Sequence, residues 1–262
     1  MFLEKVKQVK LEKVAFLKKE KPLSELKRKL GDQKKEKRSF YEVFSGNQEK
    51  ETKIIAEIKK ASPAKGVLNP DLKPELLASI YEKNGAKAVS VITEEKFFLG
   101  SPDFIPLVKK AVSLPVLRKD FIVDEYEIAE AKLLGADAVL LIGEMLDPSL
   151  IGDLIGAAKG YGLDVLLEVH SRETYESICH LNGFVLGINN RNLKTLKVEL
   201  DISIGLLKEI KKDFPVIVES GIEEREEIQK FISLGASGFL IGSSLVTHEN
   251  PGKKLLELRG VL

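Results

Sequence analysis

The chain has 262 residues, 44% of them hydrophobic, and a formal net charge of +1. That length supports one large domain with a full core or two small ones, and the balanced charge offers no general attraction for nucleic acid. A single cysteine, Cys179, excludes a disulfide within these residues, and no run of roughly 18 apolar residues marks a membrane span.

The charge is uneven along the chain: residues 1–40 carry a net +8 and the remaining 222 a net −7. Near the start, Phe2, Val6, Val9, Phe16, Leu17, Leu23, Leu26 and Leu30 recur at roughly helical spacing among lysines. The pattern predicts two short helices, broken near Lys21-Pro22 and Gly31. They make residues 1–45 a helical N-terminal extension capping a body of residues 46–262. The extension is either a solvated basic cap or a lid that adds positive potential at the mouth of a site. Glu4, Glu12, Glu20 and Glu25 do not suit a secretory leader or an acid-poor transit peptide, so a cytoplasmic protein is expected.

Beyond residue 50, eight short β-branched runs appear: KIIAEIK (53–59), AVSVIT (88–93), PVLRKDF (115–121), AVLLIG (138–143), DVLLEVH (164–170), FVLGINN (184–190), PVIVESG (215–221) and GFLIGSS (238–244). Each has the length of a strand buried on both faces. Amphipathic stretches of helical period lie between them, clearest at 74–86, 124–136 and 224–236. The joints GAKAV, GADAV and GASGF each end a helix and begin a strand, with glycine suited to the left-handed position after a helix. The fold class is therefore α/β, a (β/α)₈ barrel with a helical N-terminal extension. A doubly wound sheet is the alternative, but the first turn, KASPAKG, is not a Gly-rich dinucleotide turn. Cys179 falls in a helical pattern and reads as a small buried hydrophobe.

Barrels carry their chemistry at the carboxyl ends of the strands. Alternation places Glu57 and Lys59 on one inward face, because Ile54, Ala56 and Ile58 form the apolar outward set. Buried charges of this kind need each other or a ligand. Lys119 ends the third strand on the face of Leu117 and Phe121, Glu168 and His170 share a face of the fifth, and Asn189 and Arg191 share one of the sixth. Glu57–Lys59 also reads as a structural ion pair, and Lys119 as a surface lysine with Asp120 a helix cap. His170 is left out of the candidate set. The turns ESGI (219–222) and IGSSL (241–245) put glycine and serine after strands seven and eight, where barrels often hold phosphate. No His/Asp/Glu grouping has metal-ligand spacing, and neither a metal nor a cofactor is expected.

The motifs AEIKKASPAKG, EEKFFLGS, LRKDFIVDEYEI, LLEVHS, LGINNRNLKTLKV, VESGI and FLIGSSL, in this order and at these strand ends, resemble indole-3-glycerol phosphate synthases. That family closes the ring of a carboxyphenylamino-deoxyribulose phosphate with loss of carbon dioxide and water, a step of tryptophan biosynthesis. The resemblance implies that Lys119 is a general acid with Glu168 its partner carboxylate, and that Glu57, Lys59, Asn189 and Ser220 complete the catalytic set. It further implies Ser62, Phe98, Phe121, Arg191 and Glu219 as substrate-binding residues and Gly221, Gly242 and Ser243 as the phosphate site. The ligand is then a small phosphorylated aromatic molecule, with no nucleic acid or membrane partner, and the assembly a monomer or weak homodimer. For Lys119 to give up a proton, a neighbouring cation such as Lys59 or a dry wall such as Phe121 is expected to lower its pKa.

Overall fold

The computed structural model describes residues 2–31, 38–45, 51–193, 195–210 and 214–262. Eight strands form a closed barrel: β1 (Ile54–Ile58), β2 (Ala88–Ile92), β3 (Val116–Lys119), β4 (Ala138–Ile142), β5 (Asp164–Val169), β6 (Val185–Asn189), β7 (Val216–Glu219) and β8 (Gly238–Ile241). All neighbours are parallel, and β8 closes on β1 in the register Ile54 to Phe239 and Ala56 to Ile241. The strands are buried almost end to end, as a parallel sheet covered by helices requires.

Helices follow the strands. They include α4 (Pro74–Lys83), α5 (Phe104–Ala111), α6 (Glu125–Leu134), α7 (Pro148–Gly160), α8 (Arg172–Ile178), α9 (Asp201–Glu209), α10 (Arg225–Ser233), the short α11 (Ser243–Val246) and α12 (Pro251–Arg259). Helix α6 shows how the boundaries are written locally. Asp124 accepts from the backbone N–H of Tyr126 at its start, and Gly135 ends it in the left-handed region at φ 95°. Cys179 is exposed at the C-terminal end of α8, not buried. The helical period there buries Ile178 instead, one position away.

The extension contains three described helices: α1 (Phe2–Glu20), α2 (Leu23–Gly31) and α3 (Phe40–Ser45). The breaks at Lys21-Pro22 and Gly31 are as expected, but α1 is 19 residues long. It crosses the carboxyl-end rim of the barrel and buries Val6, Lys10 and Val14, one face at four-residue spacing. Helix α2 packs on α6, and α3 closes the opposite end. Phe40 and Phe44 are fully buried there, and Phe44 sits against Gly238, the first residue of β8. The backbone N–H of Tyr41 donates to Asp164 at the start of β5 (3.0 Å).

Lys10 is the unusual member of the buried face of α1. Its Nζ lies 2.8 Å from Asp120 Oδ1 and 2.6 Å from Glu127 Oε1. Asp120 also accepts from Thr93 Oγ1 (2.7 Å) and meets Arg118 Nη2 (3.3 Å). Burial works against the Asp120 charge, but Lys10 and Arg118 hold that carboxyl below the usual range. Asp120 is thus the hub of a buried network, not a helix cap. The lysines of α1 are used for docking: Lys7 donates to Met145 O (2.7 Å), Lys13 pairs with Glu95, and Lys18 with Asp124 (2.7 Å). Lys10→Met should cost about 3 kcal/mol, because removing one partner strands a buried charge; denaturant unfolding measures it.

Candidate active site

All fourteen site residues expected from the sequence line a single cavity of about 260 Å³ at the carboxyl ends of the strands. Lys119, Glu168 and Glu219 come from β3, β5 and β7, and Glu57 and Lys59 from β1 and the turn after it. Asn189 and Arg191 come from the end of β6, and Ser62 from a small antiparallel hairpin of residues 61–62 and 66–67.

At the centre, Lys119 Nζ bridges two carboxylates, 2.9 Å from Glu168 Oε2 and 2.8 Å from Glu219 Oε2. Lys59 Nζ pairs with Glu57 Oε1 at 2.8 Å, and it is not among the largest influences on Lys119. The electrostatics of Lys119 are accordingly the reverse of the expectation. Burial opposes its charge, but Glu168, Glu219 and Glu57 raise its pKa above the usual lysine range. The two carboxylates differ. Burial alone would raise Glu168, but Lys119 and His170 hold it well below the ordinary value. Glu219 is pushed up to about 8, first by burial and then by the neighbouring Glu168, against the pull of Lys119.

Glycines create the room for this arrangement. A Cβ at Gly187 of β6 would run into Glu219 Oε1, and one at Gly242 would run into Glu57 Oε1. Past β7, Ser220 and Gly221 both take left-handed backbone, at φ 64° and 80°. Ser220 is the costly one, and Asn190 holds it by donating from Nδ2 to Ser220 O (3.0 Å). Ser244 Oγ donates to Ile222 O (3.0 Å), tying the turn after β7 to the start of α11, where Gly242 and Ser243 lie. Arg191 Nη1 donates to Leu196 O (2.9 Å) and its backbone N–H to Asn189 Oδ1 (2.9 Å).

The wall facing these charges is aromatic. Phe98 and Phe121 pack with ring centroids 6.0 Å apart. Phe2, from α1, lies 6.3 Å from Phe121 and also lines the cavity. Glu94 shapes the loop carrying Phe98, accepting the backbone N–H groups of Lys96, Phe97 and Phe98 at 2.7–2.9 Å. His170 belongs to the site after all. It is buried, lines the cavity, and puts Nε2 3.1 Å from Glu168 Oε1. The shared face of Glu168 and His170 was the signal for it. Phe2, Asp120 and Glu94 left no comparable signal, because their contacts come from chain segments far away or from a single loop.

A family model described as indole-3-glycerol phosphate synthase matches residues 3–258. A protein of that name from Carboxydothermus hydrogenoformans is 44% identical over 259 residues, covering 97% of this chain and 98% of the relative. Another, from Legionella pneumophila strain Paris, is 43% identical over 256 residues, covering 98% and 97%. Among solved structures, 3-hexulose-6-phosphate synthase from Salmonella typhimurium is similar in fold, with a TM-score of 0.64 at 17% identity over 80% of this chain and 98% of that one. With both the family model and full-length relatives in agreement, the chain belongs to the indole-3-glycerol phosphate synthase family.

Proposed function

We propose that Lys119 is the general acid and Glu168 the carboxylate base of this family's reaction, the closure of 1-(2-carboxyphenylamino)-1-deoxyribulose 5-phosphate to indole-3-glycerol phosphate. The observation that carries the reading is the ammonium of Lys119 held between two unlike carboxylates in a cavity with an aromatic wall. The ring carbon bearing the substrate carboxylate attacks the ketone carbon. The carbonyl oxygen takes the electron pair and a proton from Lys119 Nζ. Loss of carbon dioxide returns a bonding pair to the ring. The new hydroxyl then takes a second proton, from Lys119 once its ammonium is restored, and leaves as water, while the proton on the adjacent carbon goes to Glu168.

The raised pKa of Lys119 guarantees that it is charged when substrate arrives. It does not make the amine a strong acid. Glu219 replaces the proton once it has been given: near neutral pH its carboxyl keeps a proton, and it sits 2.8 Å from the amine that has just lost one. Transfer from Glu219 to Lys119 restores the ammonium and leaves a carboxylate beside it. Phe98 and Phe121 flank the substrate ring, and Lys59 steers its carboxylate while remaining paired with Glu57. The turns at Gly221, Gly242 and Ser243 receive the phosphate, with Ser62, Asn189, Arg191 and Ser220 closing the polar side.

A lysine acting as a Schiff-base nucleophile must be neutral, which these carboxylates oppose. Borohydride added during turnover should therefore leave no permanent adduct on Lys119, while indole fluorescence appears with purified protein and substrate. A trapped adduct would replace this reading with a covalent one. Substrate binding without indole formation would make the barrel a non-catalytic phosphate binder. The protein is taken to act as a monomer or weak homodimer in the cytoplasm. Among the described residues no helix is long and apolar enough to cross a membrane.

A further inference from the structure

Two carboxylates contact the same ammonium, yet their other oxygens have opposite surroundings. Glu168 Oε1 lies 3.1 Å from His170 Nε2, an ion-pair contact without hydrogen-bond alignment. Glu219 Oε1 is buried beside Gly187 with no hydrogen-bond partner among the described residues. His170 is itself anchored from behind. Glu144, in the 3₁₀ turn after β4, accepts from the His170 backbone N–H (2.7 Å) and lies 3.0 Å from Nδ1 through its other oxygen. The Glu144 side chain is 19% exposed, whereas His170 and Glu168 are almost fully covered.

We propose that Glu144 and His170 are positioning residues that fix which carboxylate at Lys119 is ionised: His170 holds Glu168 as the anion and leaves Glu219 to keep the proton. The proposal rests on the reading of Glu168 as the base. The chemistry is direct. A doubly protonated imidazole donates at Nδ1 to Glu144 and presents Nε2–H to Glu168, so Glu168 has two cations and Glu219 has one. Glu144 keeps the ring charged by giving it a second anion. Burial disfavours the imidazolium, but Glu144 and Glu168 lift His170 to about 9. The other charged groups around it do not compete. Lys119 and Glu219 lie beyond Glu168, Lys7 of α1 bonds Met145 O next to Glu144, and Arg172 of α8 turns out to Glu176 and Glu209. Arg191 of β6 is bonded back to Leu196 O. No grouping with metal-binding geometry occurs here among the described residues.

The test pairs imidazole NMR with kinetics on the full-length protein. In the parent, both His170 ring nitrogens should be protonated at pH 7, with a titration near 9. Glu144→Gln should lower that titration towards an ordinary imidazole, about 6.5. His170→Gln should cut kcat roughly tenfold to a hundredfold, less than loss of the base itself, with KM nearly unchanged. Its acid limb should move to higher pH, because Glu168 has lost a cation. Glu144→Gln, at a partly exposed position, should lower kcat towards the His170→Gln value above about pH 6.5, where its imidazole is neutral, and keep the parental acid limb, where the imidazole is charged again; it covers the case in which His170→Gln does not fold. A neutral His170 at pH 7 in the parent, an unmoved acid limb in folded His170→Gln, or a parental rate in Glu144→Gln above its lowered His170 titration overturns the proposal. Failure of the underlying reading looks different: Glu168→Gln would stay active while His170 still titrates high in the parent.

Discussion

Lys119→Ala is expected to lower turnover by about three to four orders of magnitude, the upper range for removing a positioned proton donor. The structure makes the loss specific. Among its described partners Lys119 contacts Glu168 and Glu219 and no backbone group, so its side chain serves this cavity and not the strand ladder. Folding should survive the substitution. Removing the ammonium leaves two buried carboxylates facing each other, but Glu219 already tends to keep its proton, so the pair carries one charge and not two. Single-turnover indole fluorescence and far-ultraviolet circular dichroism on the same sample measure the two halves of the claim. A folded variant with parental turnover removes Lys119 as the acid.

Glu168→Gln should slow the reaction about a thousandfold, within the range for loss of a general base, and should change the pH–rate profile as well as the rate. In the parent, Lys119 and His170 keep Glu168 ionised well below the usual carboxylate range, so turnover stays level as pH falls through 5 and declines only below it. The glutamine variant has no group to protonate there, and its residual rate should lose that acid limb. At the alkaline end, Glu219 gives up its reserve proton near 8, so parental turnover should decline above that value. A variant with the parental profile, scaled or not, counts against an ionised Glu168 as the base.

The barrel could be read from the sequence because its cues are local. Each run such as AVLLIG is long enough for one buried strand, and each GA joint carries its own left-handed glycine, as Gly135 shows. The inward pairs could be read for the same reason: period-two alternation needs only neighbouring residues, and it put Glu57 with Lys59 and Glu168 with His170. What escaped depends on the order in which the staves meet. The sign of the Lys119 shift follows from β5 and β7 aiming carboxylates at it, while Lys59 turns to Glu57 on its own segment. The role of Lys10 was hidden more deeply. In the sequence it is one lysine among many, and only the docking of α1 over Asp120 and Glu127 buries it.

The aromatic plug at the base has a consequence for synthesis. Phe40 and Phe44 leave the ribosome before any barrel strand exists, yet the surface that covers Phe44 includes Gly238 of the last one. β1 likewise waits for β8 before its second edge is paired. The nascent chain therefore carries β1 with an open edge through nearly all of translation, and α3, which can meet β5 earlier, completes its cover only when the final stave emerges.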